Sequence, residues 1–189
     1  MTDGHWEGKA SGSKALRPKP LLAEAYNNRG TVKSALGDYQ GAIADYDKAI
    51  ERNPQFAGAY NNRGNAKSAL EDYQGAIADY DKAIEHNPQL ARTYNNRGIA
   101  KYDLGACQDA IADYDKAIEF NPQNAKAYNN RGNAKRDLGN HLSAIADYDK
   151  AIKFNPKYAK AYKNRGIAKR ALGDMEGAKK DFDKAAELD

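Results

Sequence analysis

One cysteine, Cys107, stands among the 189 residues, so the chain cannot close a disulfide within itself. Three histidines, His5, His86 and His141, lie at unrelated places with no ligand spacing, which argues against a metal site. No apolar run is long enough to span a membrane, and residues 1–19 lack the apolar core of a signal peptide. The recurrent NNRG runs sit inside helical patterns with no preceding strand, so none is a phosphate loop. Carboxylate pairs are plentiful but repeat evenly, whereas an active site needs one singular, preorganised cluster. The expectation is a cytoplasmic protein with no cofactor, no metal, no membrane contact and no catalytic centre. A mean hydropathy of -0.92 with 41% apolar residues would by itself allow a partly disordered chain.

Periodicity overrules composition. Read at an interval of 34 residues the chain superimposes on itself: Tyr26, Tyr60, Tyr94, Tyr128 and Tyr162 are each followed four residues later by a glycine, Gly30 through Gly166. The same register aligns Ala42, Ala76, Ala110, Ala144 and Ala178, each with a ring four residues on, at Tyr46, Tyr80, Tyr114, Tyr148 and Phe182. Pro54, Pro88, Pro122 and Pro156 close the units. A unit of this size buries its apolar face only against its neighbours.

These landmarks resemble the tetratricopeptide repeat, whose pattern is W-x2-L-G-x2-Y, A-x3-F and P. The resemblance covers Ala23–Asp189 as repeats 23–56, 57–90, 91–124, 125–158 and 159–189, behind a flexible tail at 1–19. It implies an all-α, right-handed solenoid of five helix-turn-helix units, ten helices in all, over 20–189. In the first unit helix A is expected over Ala23–Leu36 and helix B over Gln40–Arg52, with Gly37 and Asp38 in the turn and Asn53-Pro54 as the stop. Tyr39, Ala42, Ile43, Tyr46, Ala49 and Ile50 make one apolar stripe, which Tyr26 and Leu36 face. Gly30 lets two helix backbones approach closely. Cys107 takes the slot of Tyr39 and Tyr73 as a buried thiol. In the last unit Lys179 and Ala186 replace Ile43 and Ile50, the polar flank of a terminal cap.

Two positions depart from the family pattern in every unit. Arg29, Arg63, Arg97, Arg131 and Arg165 stand where leucine is usual, and Lys33 with its equivalents where tyrosine is frequent. Both face inward, where a cation needs a carboxylate or a route to water. The aspartates at Asp45 and Asp47 and their repeats predict a ladder of ion pairs between helices.

The opposite surface of helix A carries Asn28, Asn62, Asn96, Asn130 and Asn164, preceded in four units by Asn27, Asn61, Asn95 and Asn129 and in the fifth by Lys163. A row of amides, each both donor and acceptor, suits the backbone of an extended peptide. It is similar to the asparagine ladder of O-GlcNAc transferases, which implies a grip on peptide main chain. It also resembles the Asn-Arg pairs of chaperone-organising repeats, which clamp a terminal carboxylate, although Asn164 and Ile167 replace residues that a strict clamp would use. The first three units are net acidic and the last two net basic. The family resemblance implies that this face lines a concave groove, on which Arg92, Lys126, Arg136, Lys160, Lys163 and Arg170 are placed and whose basic end should prefer an acidic partner. The expected function is a non-catalytic scaffold that binds an extended, partly acidic protein segment or peptide. The alternative is self-assembly through stacked terminal units or exchange of the tail, with Trp6 as its anchor. Mixed charge argues against nucleic acid.

Overall fold

The computed structural model describes residues 19–189, with side chains from Leu21 onward. Helices follow one another in pairs: α1 (Lys19–Ala35) with α2 (Tyr39–Arg52), α3 (Ala57–Ala69) with α4 (Tyr73–His86), and α5 (Ala91–Asp103) with α6 (Cys107–Phe120). Then come α7 (Ala125–Asp137) with α8 (His141–Phe154), and α9 (Ala159–Ala171) with α10 (Met175–Leu188). Each helix packs on its partner in the unit, and in the first four units also on the first helix of the next unit, which builds a right-handed α-solenoid without strands among the described residues. Helix α1 begins at Lys19, four residues before the repeat boundary, so the described helix takes in one residue assigned to the tail. The Trp6 expectation lies outside the described residues.

Local chemistry sets each boundary. Asp38, Asp72 and Asp174 cap their helices by accepting from the backbone N–H three residues on, at Gly41, Gly75 and Gly177. At the unit ends the Asn53, Asn87, Asn121 and Asn155 side chains accept from the N–H two residues ahead, beyond the proline. That turn satisfies backbone the proline cannot continue into a helix. The intra-unit turn takes a left-handed residue, Gly37, Gly105, Gly139 or Gly173, and in the second unit Glu71 at φ 62°.

Each core is shared between units. Ala42 and Tyr46 of the first unit cluster with Ala66 of the second, with Tyr39 and Ile43 against them, and the pattern recurs along the array. The recurrent glycine of helix A faces the aromatic ring of helix B: a Cβ on Gly98 would lie 2.6 Å from Tyr114 Cε1. Cys107 is half-buried against the Ala110, Tyr114 and Ala134 cluster. Leu36 departs from expectation. It lies beyond the last residue of α1 and is 80% exposed, because the chain has already turned away from the stripe.

Candidate functional site

The inward arginines form a continuous ladder. Arg97 donates from Nε and Nη2 to both oxygens of Asp113 in its own unit, at 2.9 and 2.5 Å, and from Nη1 to Asp81 of the preceding unit at 2.6 Å. Arg63, Arg131 and Arg165 repeat this geometry, and each guanidinium also lies over the tyrosine of its helix, 5.4 to 5.5 Å from the ring centroid. The neighbouring lysine completes the cluster, as Lys101 does with Asp113 at 2.8 Å. The arginines that replace leucine are therefore built into the wall, not offered to the groove. Arg29 has Asp45 alone, with no carboxylate from a preceding unit among the described residues, and its side chain is 54% exposed against 17–19% for the others. The Arg29 hydrogen bonds hold Asp45 down at about 2.

The two asparagine rows separate. Asn62, Asn96, Asn130 and Asn164 are half-buried on the groove wall and Asn28 is exposed. Asn61, Asn95 and Asn129, expected on the same surface, are instead buried in the seam between consecutive A helices. One residue along a helix turns the side chain by about 100°, enough to move it from groove to seam. There the rows join: Asn62 donates to Asn27 at 3.0 Å, Asn130 to Asn95 at 3.1 Å and Asn164 to Asn129 at 2.9 Å. Asn96 donates to Asn65 at 2.9 Å. Asn62, Asn96, Asn130 and Asn164 thus spend amide N–H donors within the protein, which holds their orientation, while Asn28 donates to no described residue.

Asn65 and Asn133 are groove residues that the asparagine pattern did not single out. They accept from the hydroxyls of Tyr80 and Tyr148, each at 2.9 Å. Their signal is variation: the slot reads Thr31, Asn65, Ile99, Asn133 and Ile167 in an otherwise repetitive array. Where it holds Ile167, the facing tyrosine has become Phe182, which needs no acceptor.

The groove differs along its length. At the N-terminal end Thr31, Ser34, Ala35, Tyr39, Asn62, Asn65 and Ala69 line a cleft of about 420 Å³ without a charged side chain. At the C-terminal end Asn129, Asn130, Asn133, Tyr158, Lys160, Lys163 and Asn164 line one of about 400 Å³. Lys160 and Lys163 are exposed there, as are Arg92, Lys126 and Arg170 at their places along the array, the last with its guanidinium 5.7 Å from the Phe182 ring centroid. Arg136 is held differently: it pairs with Asp137 at 2.9 Å, and the same carboxylate accepts from the Tyr102 hydroxyl. Burial and that bond push Tyr102 up to about 12, so it stays protonated and donates. No three or more His, Cys, Asp or Glu residues gather as a metal site among the described residues, and no described helix is long and apolar enough to cross a membrane.

The model described as "Tetratricopeptide repeat" matches residues 23–56, 57–90 and 125–158, and related repeat models match 100–139 and 159–189. Among solved structures, the chain is 30% identical to MamA, covering 84% of this chain and 93% of that one with a TM-score of 0.77. It is 25% identical to YrrB, described as a TPR protein with an unusual peptide-binding site, over 88% of this chain and 86% of that one with a TM-score of 0.71. PilF of Pseudomonas aeruginosa shares the fold at 18% identity, with a TM-score of 0.84 over 90% of this chain and 78% of that one. No curated protein matches.

Proposed function

The chain belongs to the tetratricopeptide repeat family, and on that premise we propose that it is a non-catalytic scaffold holding an extended, partly acidic peptide in its concave groove. The observation that carries this reading is the C-terminal cleft. There two exposed ammonium groups, Lys160 and Lys163, adjoin carboxamides of Asn129, Asn130, Asn133 and Asn164. Carboxamides suit a peptide main chain whatever its side chains, and the two lysines suit its acidic residues. The neutral cleft at the other end suits uncharged residues, so the two ends give the bound segment a direction. The unusual peptide-binding site described for YrrB, a protein of the same repeat fold, supports a peptide ligand.

The cations act at longer range than the amides, which separates their effects. Lys160→Glu with Lys163→Glu should weaken acidic peptides at least tenfold more than neutral ones and flatten the salt dependence of binding, measured by fluorescence anisotropy on a charge-graded peptide set. Equal loss for acidic and neutral peptides would refute end selection by charge. Asn130→Ala should weaken both classes alike, by roughly 0.5 to 1.5 kcal/mol. Since Asn130 also bonds Asn95, its stability must be measured alongside.

A further inference from the structure

The outer face of α1 lies apart from the clefts and has no helix B packed on it among the described residues. The array itself displays what covers this face, four times over. On α3, α5, α7 and α9 the equivalent surface is closed by helix B of the preceding unit. At each junction an arginine Nη1 reaches an aspartate of that helix, as Arg63 to Asp47 at 2.6 Å and Arg131 to Asp115 at 2.5 Å. The alanine slot of the junction, Ala66 in the second unit and Ala134 in the fourth, is fully buried there.

On α1 no described residue covers the same slots. Val32 stands in the alanine slot and is 60% exposed, Ala25 is exposed where Ala59 is fully buried, and Leu36 adds to the apolar patch. Arg29 lacks the second carboxylate that its four equivalents have, and Asn28 lacks the seam acceptor, among the described residues. An apolar strip flanked by a half-satisfied guanidinium and an amide donor is the template for an amphipathic helix that brings a carboxylate.

The other end of the array does not match it. Helix α10 offers Lys179 and Ala186 where the junction helices offer isoleucines, and α9 offers Lys163 where Asn28 would need an acceptor. A second copy stacked head to tail would set Lys179 beside Val32, and the Asp183 that stands in the place of Asp47 is already held by its own Lys179 at 2.6 Å. We infer that the α1 face docks an α-helix of a different protein, apolar along one stripe and carrying an aspartate or glutamate one turn beyond it, in the relation of Ile43 to Asp47.

The test uses the full chain and a labelled peptide of the sequence Asp38–Asn53, locked as a helix by a crosslink between positions 40 and 44, both exposed in α2. Saturable binding is expected. It should fall at least tenfold with Arg29→Glu and with Val32→Glu, the second of which leaves the Arg29–Asp45 pair intact and so separates docking from folding. A peptide bearing Asp47→Arg should recover affinity for the Arg29→Glu chain, and one bearing Ile43→Lys, the α10 arrangement, should not bind. Lys160→Glu with Lys163→Glu should change nothing, which keeps this surface distinct from the groove. Absence of saturable binding, or binding indifferent to both Arg29→Glu and Val32→Glu, would overturn the inference. So would sedimentation showing chain-concentration-dependent oligomers that Arg29→Glu dissolves, since a second copy would then be the occupant.

Discussion

Removing Arg97 tests whether the ladder of ion pairs holds the units together. Arg97→Ala takes away a two-point contact with Asp113 and a single contact with Asp81. The two carboxylates differ sharply in setting: the Asp113 side chain is 6% exposed and that of Asp81 55%. Stripping the partner from a buried charge costs roughly 3 to 5 kcal/mol, whereas an exposed pair contributes at most about 1. Lys101 remains 2.8 Å from Asp113 and keeps it partly neutralised. The expected cost of Arg97→Ala is therefore at the low end, about 3 kcal/mol. A double-mutant cycle apportions it: coupling of Arg97 to Asp113 should be about 2 kcal/mol and coupling to Asp81 below about 1. Urea denaturation supplies the free energies, and native-state hydrogen exchange on α5 and α6 checks that loss is local, because repeat arrays do not always unfold in one step. A total cost under about 1 kcal/mol, or equal coupling to the two aspartates, would refute the view that the buried carboxylate is what the arginine serves.

Gly98→Ala should destabilise the protein despite alanine's helix preference of about 1 kcal/mol. The new Cβ meets a ring that is itself buried, and overpacking costs roughly 1 to 3 kcal/mol, so a rise in the thermal midpoint would contradict the packing. Glu71→Gly should stabilise by about 1 kcal/mol, because a side chain in the left-handed region is replaced by the residue the other four units use there, and unchanged stability would show that the turn carries no strain. Acid should act on Asp45 in a defined window. Its folded value is depressed, so its contribution is complete above the ordinary 3.8 and is lost as pH falls through about 2. An Arg29→Gln chain should show a flatter stability profile over that range, and identical profiles would dismiss the Arg29–Asp45 pair as its source.

The spacing of residues determined most of the architecture without help. Ala42, Tyr46 and Gly30 recur because each unit must present the same small, large and absent side chains to the same neighbours, so periodicity in sequence is periodicity in packing. The ladder was legible for the same reason: a cation on an inward slot demands a carboxylate, and Asp45 and Asp47 were the ones that repeated with it. What only the tertiary structure decided depends on rotations and offsets between helices, which the pattern within one helix does not encode. The position of the neighbouring A helix buried Asn61 and Asn129 in the seam while Asn62 and Asn130, turned about 100° from them, stayed half-buried, although the two rows are adjacent in sequence and chemically identical. Unit packing also brought the Tyr102 hydroxyl onto Asp137, the carboxylate that holds Arg136, while Lys160 and Lys163 remain at an open cleft. Residue type states what a side chain needs. Only the superhelix states whether a neighbouring unit has already met that need.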